Sequence, residues 1–390
     1  MRIALCIEYP IDQSGGTEVL VTELIKGLAS RHELVLVSPD TPDSLRRSPV
    51  APFVARHIPC ATGQATPTNA RALADRLTSS QPSLIHFHFG GNYAWGNRWF
   101  RNCPVVYLNR NDAPCIATNH GAFSILEGYC WHLRSLWVKL GLLPPAWWSK
   151  QYVTSRLDCE VAVSQHDYHA LRRWYPPIRG KFRWIYHSRL QEPPPLANPS
   201  RQNVILCAGT IGHRKGQLLL VQAFRDLAAD FPAWQLALMG RVGDQHLMGQ
   251  INAFISEHGL QDRVQLLGRR SDEELTQWLG QAAIFAMPSL HEGLGLSLQE
   301  AQFHGCACVA SAAGGVVDLL QDGDNGLLVP VGQVPPLREA LRRLMRDAAL
   351  RNRLSMRGPA SVLEKGMTAP RMVQAYERLY AEILAARQRK

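Results

Sequence analysis

The chain has 390 residues, of which 46% are hydrophobic and 19% are charged. This composition is that of a folded globular protein and excludes a disordered one. The chain is longer than a typical single domain with one hydrophobic core, so we expect two domains of roughly 150–200 residues each. The net charge of +10 favours anionic partners (phosphates, nucleic acid or an acidic membrane surface) without choosing among them.

No targeting or membrane-spanning segment is predicted. The N-terminal apolar run meets Glu8 at once, which makes it too short for a signal peptide. No stretch of about 20 uncharged apolar residues occurs, so no bilayer span is expected. The nine cysteines include no CxxC pair, which predicts reduced thiols in a cytoplasmic protein.

The first half of the chain predicts a βαβ unit followed by more buried strands. Residues 2–7 and 32–38 have the pattern of buried strands, and residues 19–28 between them have that of an amphipathic helix. Further strands are predicted at 83–89, 104–108 and 160–164. His86 and His88 alternate along one of these strands, so both face one side, and we interpret them as structural.

The second half repeats the alternation after a proline-rich connector at 191–199. Strands are predicted at 203–209, 234–239, 264–267, 283–287 and 307–310, and helices at 217–229, 247–258, 335–347 and 370–386. Strands that alternate with helices in both halves predict an α/β protein with two open parallel sheets. Ligands of such sheets bind at the carboxyl ends of the strands, so two facing sheets form a cleft.

The segment 288–301 has the strongest functional pattern. It follows a predicted strand, carries Gly293 and Gly295, and enters a helix near Leu296. Backbone N–H groups at a helix start favour a phosphate, and the glycines let the ligand come close. Glu292 and Glu300 can accept hydrogen bonds from ribose or sugar hydroxyls. A helix start with two solvated carboxylates is the alternative without a ligand.

The segment 208–217 also connects a predicted strand to a helix. Arg214 and Lys215 are adjacent in it and can neutralise a diphosphate, including the extra charge that develops as a diphosphate departs. Ordinary surface charge is the alternative.

The segment 288–301 resembles the E-x7-E motif of the retaining glycosyltransferases of family 4, which have the GT-B fold of two Rossmann-like domains facing across a cleft. The resemblance implies that Glu292 contacts the donor sugar and that Glu300 binds the nucleotide ribose. It also implies that the diphosphate is bound by the backbone amides of Gly293, Leu294, Gly295 and Leu296.

Other segments resemble the same family less closely. The family often has Gly-Arg-Leu where this chain has Gly209-Thr210-Ile211, but the loop resembles a variant ending in Arg-Lys-Gly, so the phosphate role is assigned to Arg214 and Lys215. The remaining donor-binding positions implied by the resemblance are Gly15 and Gly16 in the first glycine loop, Gly209, and Leu267 and Gly268 beside the base. A plain turn is the alternative for Gly15 and Gly16.

The family's first domain usually contributes a histidine after a strand like 104–108. Asn109 occupies that place here, and His120 is the nearest replacement, with a loop histidine as the alternative. The family retains anomeric configuration through a front-face route in which the leaving phosphate accepts the acceptor's proton. No set of His, Cys and carboxylate residues has a convincing metal-ligand spacing, so we expect no metal and no cofactor beyond the nucleotide sugar.

The expected organisation is an acceptor-side domain at 1–190, the connector at 191–199, a donor-binding domain at 200–369, and a terminal helix at 370–390 that crosses back to the first domain. The resemblance implies a UDP- or GDP-linked donor and a cell-surface glycan or lipid-linked acceptor. Two alternatives stay open: a nucleotide-sugar epimerase or phosphorylase of the same fold, and a non-enzymatic basic binding module. No nucleic-acid motif supports a nucleic-acid partner.

Aromatic and basic residues are interleaved between 123 and 150. The segment contains Trp131, Arg134, Trp137, Lys139, Trp147, Trp148 and Lys150. Such a pattern suits contact with anionic lipid at the inner face of the cell membrane, and Pro144-Pro145 is expected to break the helix. The alternative is a helix that packs its tryptophans into the core.

Overall fold

The computed structural model describes residues 1–11, 15–60, 66–89, 99–109, 111–121, 136–195 and 201–389, of which 136–144 are described in backbone only. The chain divides into two compact units, one made of Met1–Arg189 with Ala369–Lys390 and the other of Leu190–Thr368. Part of the predicted connector, 196–199, lies outside the described residues.

The first unit contains a seven-stranded parallel sheet. Its strands are β1 (Arg2–Ile7), β2 (Glu33–Ser38), β3 (Arg56–Pro59), β4 (Leu84–Phe89), β5 (Cys115–Asn119), β6 (Cys159–Ala162) and β7 (Phe182–Trp184). The spatial order is β3-β2-β1-β4-β5-β6-β7, so the chain reverses its direction of travel across the sheet between β1 and β4. The helices described between these strands are α1 (Gly16–Leu28), α2 (Pro42–Arg47), α3 (Pro67–Ser79), α4 (Leu136–Arg156) and α5 (Gln165–Trp174).

The second unit contains a six-stranded parallel sheet. Its strands are β8 (Gln202–Ala208), β9 (Gln235–Met239), β10 (Val264–Gly268), β11 (Ala282–Met287), β12 (Ala307–Ser311) and β13 (Leu327–Val329). The order β10-β9-β8-β11-β12-β13 reverses between β8 and β11. Its helices are α6 (Gln217–Ala228), α7 (Gln245–Glu257), α8 (Asp272–Gln281), α9 (Leu296–Phe303), α10 (Val316–Leu319), α11 (Val334–Arg346) and α12 (Ala348–Glu364).

Helices cover the sheets, so the central strands are apolar along their whole length. All six residues of β11 are buried, and α6 buries Leu220 and Phe224 in the same cluster as Ile284. Burying a leucine or phenylalanine side chain contributes about 1.5–3 kcal/mol. This burial on both faces explains why these strands read as continuous apolar runs rather than as alternating patterns.

The last helix, α13 (Ala369–Gln388), belongs to the first unit. It packs against α1, where a Cβ on Gly27 would lie only 2.5 Å from Cγ2 of Val373. Tyr376 and Tyr380 of α13 are fully buried. The carboxylate of Glu377 on α13 forms an ion pair with the guanidinium of Arg31 at 2.9 Å.

The strand predicted at 104–108 is wrong. Pro104–Val106 forms a 3₁₀ turn, and the strand that pairs with β4 is β5. Proline suits the first position of a short helical turn because it has no N–H to donate. Val105 and Leu108 are buried against the cluster that contains Leu73, so the apolar run marks a buried turn rather than a strand.

The helix break predicted at Pro144-Pro145 is also wrong, because α4 continues from Leu136 to Arg156. Each proline removes one backbone hydrogen bond, but tertiary packing decides most helical stability in proteins. The turns that follow bury Ala146 and Val153 completely. Among the described residues no helix combines the length and apolar character that crossing a bilayer requires.

Candidate functional site

Two loops of the second unit meet at the point where its strand order reverses. One follows β8 and contains Arg214 and Lys215, and the other follows β11 and contains Glu292. The backbone N–H of Leu290 donates to the carbonyl oxygen of Arg214 at 2.8 Å, which joins the loops. Open parallel sheets bind ligands at such reversal points, so the topology places the two strongest sequence segments where a ligand is expected.

Lys215 and Glu292 form the central ion pair of this site. Nζ of Lys215 lies 2.6 Å from Oε1 of Glu292, and the same oxygen accepts a hydrogen bond from Oγ of Ser289 at 2.6 Å. Burial raises the pKa of the Glu292 carboxyl, but the charges of Lys215 and Arg214 and the two hydrogen bonds outweigh burial and hold its pKa below the ordinary value. Glu292 is therefore ionised at neutral pH.

The main chain of Glu292 is held by a second loop of the same unit. The N–H of Gly315 donates to the carbonyl oxygen of Glu292 at 3.2 Å. Gly314 has φ of +56°, and a Cβ there would lie 1.9 Å from that oxygen. Only glycine fits this contact. Gly314 follows the predicted strand at 307–310 and Ser289 lies inside the segment 288–301, which were the signals in the sequence, but neither was predicted as a site residue.

Helix α9 begins directly after this loop. Gly295, at φ of +98°, occupies its N-cap, and none of the described side chains caps it. The first N–H groups of a helix carry a partial positive charge, which suits an anion. Gly293 and Leu294 are buried just before it. Glu300 lies on α9 and is 6% exposed, so its side chain is buried.

The other predicted residues of this unit lie at the ends of the neighbouring strands β8 and β10, and backbone hydrogen bonds link these ends through β9. The N–H of Gly209 donates to Met239 at the end of β9, and the N–H of Gly240 donates to Gly268 at the end of β10, both at 2.9 Å. A Cβ on Gly209 would lie 3.6 Å from Cε of Lys215, so the lysine stem lies over this glycine. Leu267 and Gly268 are two strands away from Gly209, across β9.

In the first unit, Gly15 is the N-cap of α1 and Gly16 is its first residue. A Cβ on Gly15 would lie 2.2 Å from Oε2 of Glu18, so the missing side chain leaves room for that carboxylate. Residues 12–14, which precede these glycines, lie outside the described residues.

His120 directly follows β5, and its N–H donates to the carbonyl oxygen of Phe89 at the end of β4 at 2.9 Å. It therefore occupies the position after a sheet strand that the prediction assigned to Asn109. Its Nε2 lies 3.1 Å from Nδ1 of His88, and its ring meets that of His187 edge-on at 5.0 Å between centroids.

These histidines belong to a buried cluster that includes tyrosines of α13. His86 and His88 do share one side of β4, with ring centroids 4.1 Å apart. Burial lowers the pKa of His120 to about 3 and lowers the pKa values of His86, His88 and His187 well below the ordinary range. Within the described part of the chain, no group of His, Cys, Asp or Glu side chains has an arrangement that could hold a metal ion.

One residue of the predicted lipid-contacting segment has a different role. Lys150 is fully buried and pairs with Glu160, which also accepts a hydrogen bond from Thr154 at 2.6 Å. A buried, paired lysine is unable to contact lipid headgroups. Trp131 and Trp137 lie outside the residues whose side chains are described, whereas Trp148 is 60% exposed and Trp147 donates to the carbonyl oxygen of Trp174 at 2.8 Å.

Comparisons with known proteins cover both units. Residues 14–188 match the family model described as glycosyltransferase family 4, and residues 188–360 match the model described as glycosyl transferases group 1. The chain is 32% identical over 210 residues to a D-inositol 3-phosphate glycosyltransferase of Nocardioides sp., which covers 49% of this chain and 45% of that protein. The match therefore spans about half of that relative's length.

Two further proteins are similar over almost the entire chain. A phosphatidyl-myo-inositol mannosyltransferase of Mycobacterium leprae is 26% identical over 393 aligned positions, covering 97% of this chain and 96% of that protein. The crystal structure of HepE from Anabaena in complex with UDP superposes with a TM-score of 0.77 at 17% identity, covering 98% of this chain and 100% of that one.

Proposed function

The chain belongs to glycosyltransferase family 4 and has the GT-B fold, and from this premise we propose that it transfers a sugar, with retention of anomeric configuration, from a UDP- or GDP-linked donor to a glycan or lipid-linked acceptor. The observation that carries this proposal is the Lys215–Glu292 pair beside the start of α9, at the reversal point of the second sheet. It combines an anion-binding surface with a carboxylate that can accept hydrogen bonds from hydroxyl groups, and a sugar diphosphate offers both an anion and hydroxyls.

The proposed reaction breaks the bond between the anomeric carbon and the diphosphate oxygen, and that bond's electron pair leaves with the diphosphate. The acceptor's hydroxyl oxygen bonds to the anomeric carbon from the same face, and its proton passes to the departing phosphate. Arg214, Lys215 and the N–H groups at the start of α9 stabilise the charge that develops on the leaving group. Glu292 is ionised, so it orients the donor sugar by accepting hydrogen bonds and does not act as an acid.

Relatives inform the choice of donor and acceptor. HepE of Anabaena was crystallised with UDP, which supports a uridine donor. The M. leprae relative is a mannosyltransferase that acts on phosphatidyl-myo-inositol, which supports a mannose donor and a lipid-linked acceptor. We therefore expect UDP- and GDP-sugars to be the productive classes to test first.

A thermal-shift screen with UDP, GDP, ADP and CMP tests donor binding. A ligand at 100 times its Kd adds about 2.7 kcal/mol of stability, which is readily measured. Lys215→Met and Glu300→Gln should each abolish the shift that the wild type shows. Arg342→Met, which changes a partly exposed pair of the same unit, is the matched control and should keep it. An unchanged shift and unchanged turnover in the Lys215→Met, Glu300→Gln double variant would contradict the proposal.

Product analysis separates the alternatives. A transferase releases the nucleoside diphosphate with the sugar on an added acceptor. An epimerase yields an isomeric nucleotide sugar without acceptor, and a phosphorylase yields a sugar phosphate. A non-enzymatic basic module gives no product and no nucleotide-dependent stabilisation.

For the acceptor side, we propose peripheral contact with an anionic membrane. Trp99 and Trp148 are 48% and 60% exposed. Between them Phe100 and Tyr152 are in contact, with ring centroids 4.7 Å apart. Arg156 lies over the Tyr152 ring at 5.9 Å. Exposed tryptophans beside arginines suit a lipid interface, because the rings enter the headgroup layer while the cations meet anionic lipid.

Co-sedimentation with vesicles tests this contact. The wild type should bind phosphatidylcholine vesicles that contain phosphatidylglycerol more strongly than vesicles of phosphatidylcholine alone. Replacing Trp99 and Trp148 by serine should reduce the bound fraction severalfold, whereas Trp184→Ser, a similarly exposed tryptophan of the same unit, should not. Equal binding by all three proteins would refute a membrane role for this surface.

A further inference from the structure

The buried histidine cluster of the first unit contains two hydrogen-bonded sets. In the first, Nδ1 of His86 meets the hydroxyl of Tyr380 at 2.8 Å, and its Nε2 meets Oγ1 of Thr118 at 2.8 Å. The hydroxyl of Tyr376 then joins Thr118 at 2.7 Å to Nε2 of His187 at 2.6 Å. This set connects β4, β5, the segment after β7 and helix α13.

The second set is the pair of His88 and His120. Nδ1 of His88 lies 3.1 Å from Nε2 of His120, so one ring donates and the other accepts. Burial keeps the pKa values of both imidazoles far below neutrality. Each ring is therefore neutral and carries one N–H and one lone pair. Only two arrangements of the hydrogens satisfy the contact.

The surroundings of His88 distinguish the two arrangements. If His120 donates from Nε2, the hydrogen of His88 must be on its own Nε2, a buried atom with no hydrogen-bond partner in the part of the chain that the structure describes. If His88 donates from Nδ1, its Nε2 carries only a lone pair. Buried N–H groups without acceptors are rarer than unfilled acceptor lone pairs, because the donor loses its water outright. The second arrangement is favoured.

From this geometry we propose that His88 is a positioning residue: it donates to Nε2 of His120 and holds His120 with its hydrogen on Nδ1, as a hydrogen-bond donor to substrate. The last step rests on the proposed transferase function. His187 supports the same orientation, because its ring packs edge-on against His120 and Tyr376 of α13 holds it in place.

This assignment has a chemical consequence. A His120 with hydrogen on Nδ1 and its Nε2 occupied by His88 has no free lone pair, so it is unable to take a proton from the acceptor. It can donate a hydrogen bond to substrate, and the acceptor's proton must go elsewhere, as in the front-face route in which the departing phosphate accepts it. The inference thus assigns His120 to hydrogen-bond donation and not to general base catalysis.

Nitrogen NMR of the full-length protein labelled with ¹⁵N-histidine tests the tautomer directly, because protonated and unprotonated ring nitrogens resonate in separate regions. His120→Asn identifies the His120 signals. We expect Nδ1 of His120 to have the protonated-type shift and Nε2 the unprotonated type at neutral pH. The reverse assignment in the wild-type protein would overturn the proposal without any variant being needed.

Kinetics of matched variants test the consequence. The amide nitrogen of asparagine reaches the position of Nδ1, so His88→Asn keeps the donor, whereas His88→Leu keeps bulk and removes it. We expect kcat/KM to fall about 100-fold in His88→Leu, the scale of a mispositioned reacting group, and less than about tenfold in His88→Asn. In the His88→Leu spectrum the Nε2 hydrogen of His120 should appear. His246→Asn, an exposed histidine of the second unit, is the control.

The same logic applies to His120 itself. His120→Asn places an amide N–H near the Nδ1 position and should retain more turnover than His120→Gln, whose amide reaches the Nε2 position. Equal losses in both variants, or equal losses in both His88 variants, would refute the donor role. Failure of the tautomer test leaves the Lys215 and Glu300 binding results untouched, so the two proposals are separately refutable.

Discussion

Removing the ammonium group of Lys215 should destabilise the second unit more than removing its partner's charge. At 2.6 Å and an effective dielectric constant of about 20, the attraction between Lys215 and Glu292 is roughly 6 kcal/mol. Desolvation of the two ions offsets most of it, at several kcal/mol per ion. Lys215→Met removes the attraction but leaves the desolvated Glu292 carboxylate, which is only 6% exposed in its side chain. We expect a loss of about 3 kcal/mol at neutral pH.

The reverse change should cost less. In Glu292→Gln the amide still accepts from Ser289, and the Lys215 side chain, 19% exposed, can turn towards water. We expect a loss of about 1 kcal/mol, and a similar loss in the double variant, which lacks both charges. The cycle of four proteins then gives a coupling free energy of about 2–3 kcal/mol. The partly exposed pair of Arg342 and Glu339 serves as control, with an expected coupling below about 1 kcal/mol.

Hydrogen exchange of the amides in β8 and β11 is the suitable assay. The two compact units can unfold separately, so a single denaturation curve does not isolate the second one. Exchange under native conditions gives the free energy of opening of those strands in the full-length protein. A double variant as unstable as the sum of the two single variants would refute the reasoning, because it would show no coupling between the charges.

Three further predictions follow from the same contacts. The pKa of Glu292 is lower in the folded protein than its unfolded value of about 4.5, so its ionised form stabilises the fold above that pH. This contribution is lost as the pH falls through the folded pKa. The difference in melting temperature between wild type and Glu292→Gln should therefore shrink on acidification through that range. Gly314→Ala should lower the free energy of unfolding by more than about 3 kcal/mol and abolish donor binding. Gly323 also has positive φ, but a Cβ there would meet open space, so Gly323→Ala should lower it by only about 1–2 kcal/mol, as measured by calorimetry. Lys150→Met should cost about 3–5 kcal/mol by the same measurement, because Glu160 is fully buried beside it.

The second unit was predictable from the sequence at nearly every strand. Its predicted strands at 203–209 and 283–287 correspond to Gln202–Ala208 and Ala282–Met287. Parallel strands that are buried on both faces give long apolar runs, and the loops that follow them carry glycine and charge, so both features are local in sequence. The candidate donor site lies in these loops. The roles of its residues stay predictions until binding is measured.

The first unit was harder for a physical reason. Its fifth strand, Cys115–Asn119, is short and ends in polar residues, and the apolar run at 104–108 before it is a buried turn. An apolar run marks burial and does not by itself mark a strand. The same limit affected the position expected for the histidine: the strand ends at Asn119, so the residue that follows it is His120 and not Asn109.

The contacts that organise His120 explain why no motif could have revealed them. His88 is 32 positions away from His120, and Tyr380 is 294 positions away from its partner His86. Such pairs depend on the register of β4 against β5 and on where α13 packs, and both are consequences of the complete fold. The charged loops of the candidate donor site could be predicted from the sequence, because neighbouring parallel strands all end at one edge of the sheet. A neutral imidazole pair carries no such local signal: its chemistry is defined by which nitrogen finds a partner, and only the folded chain determines that.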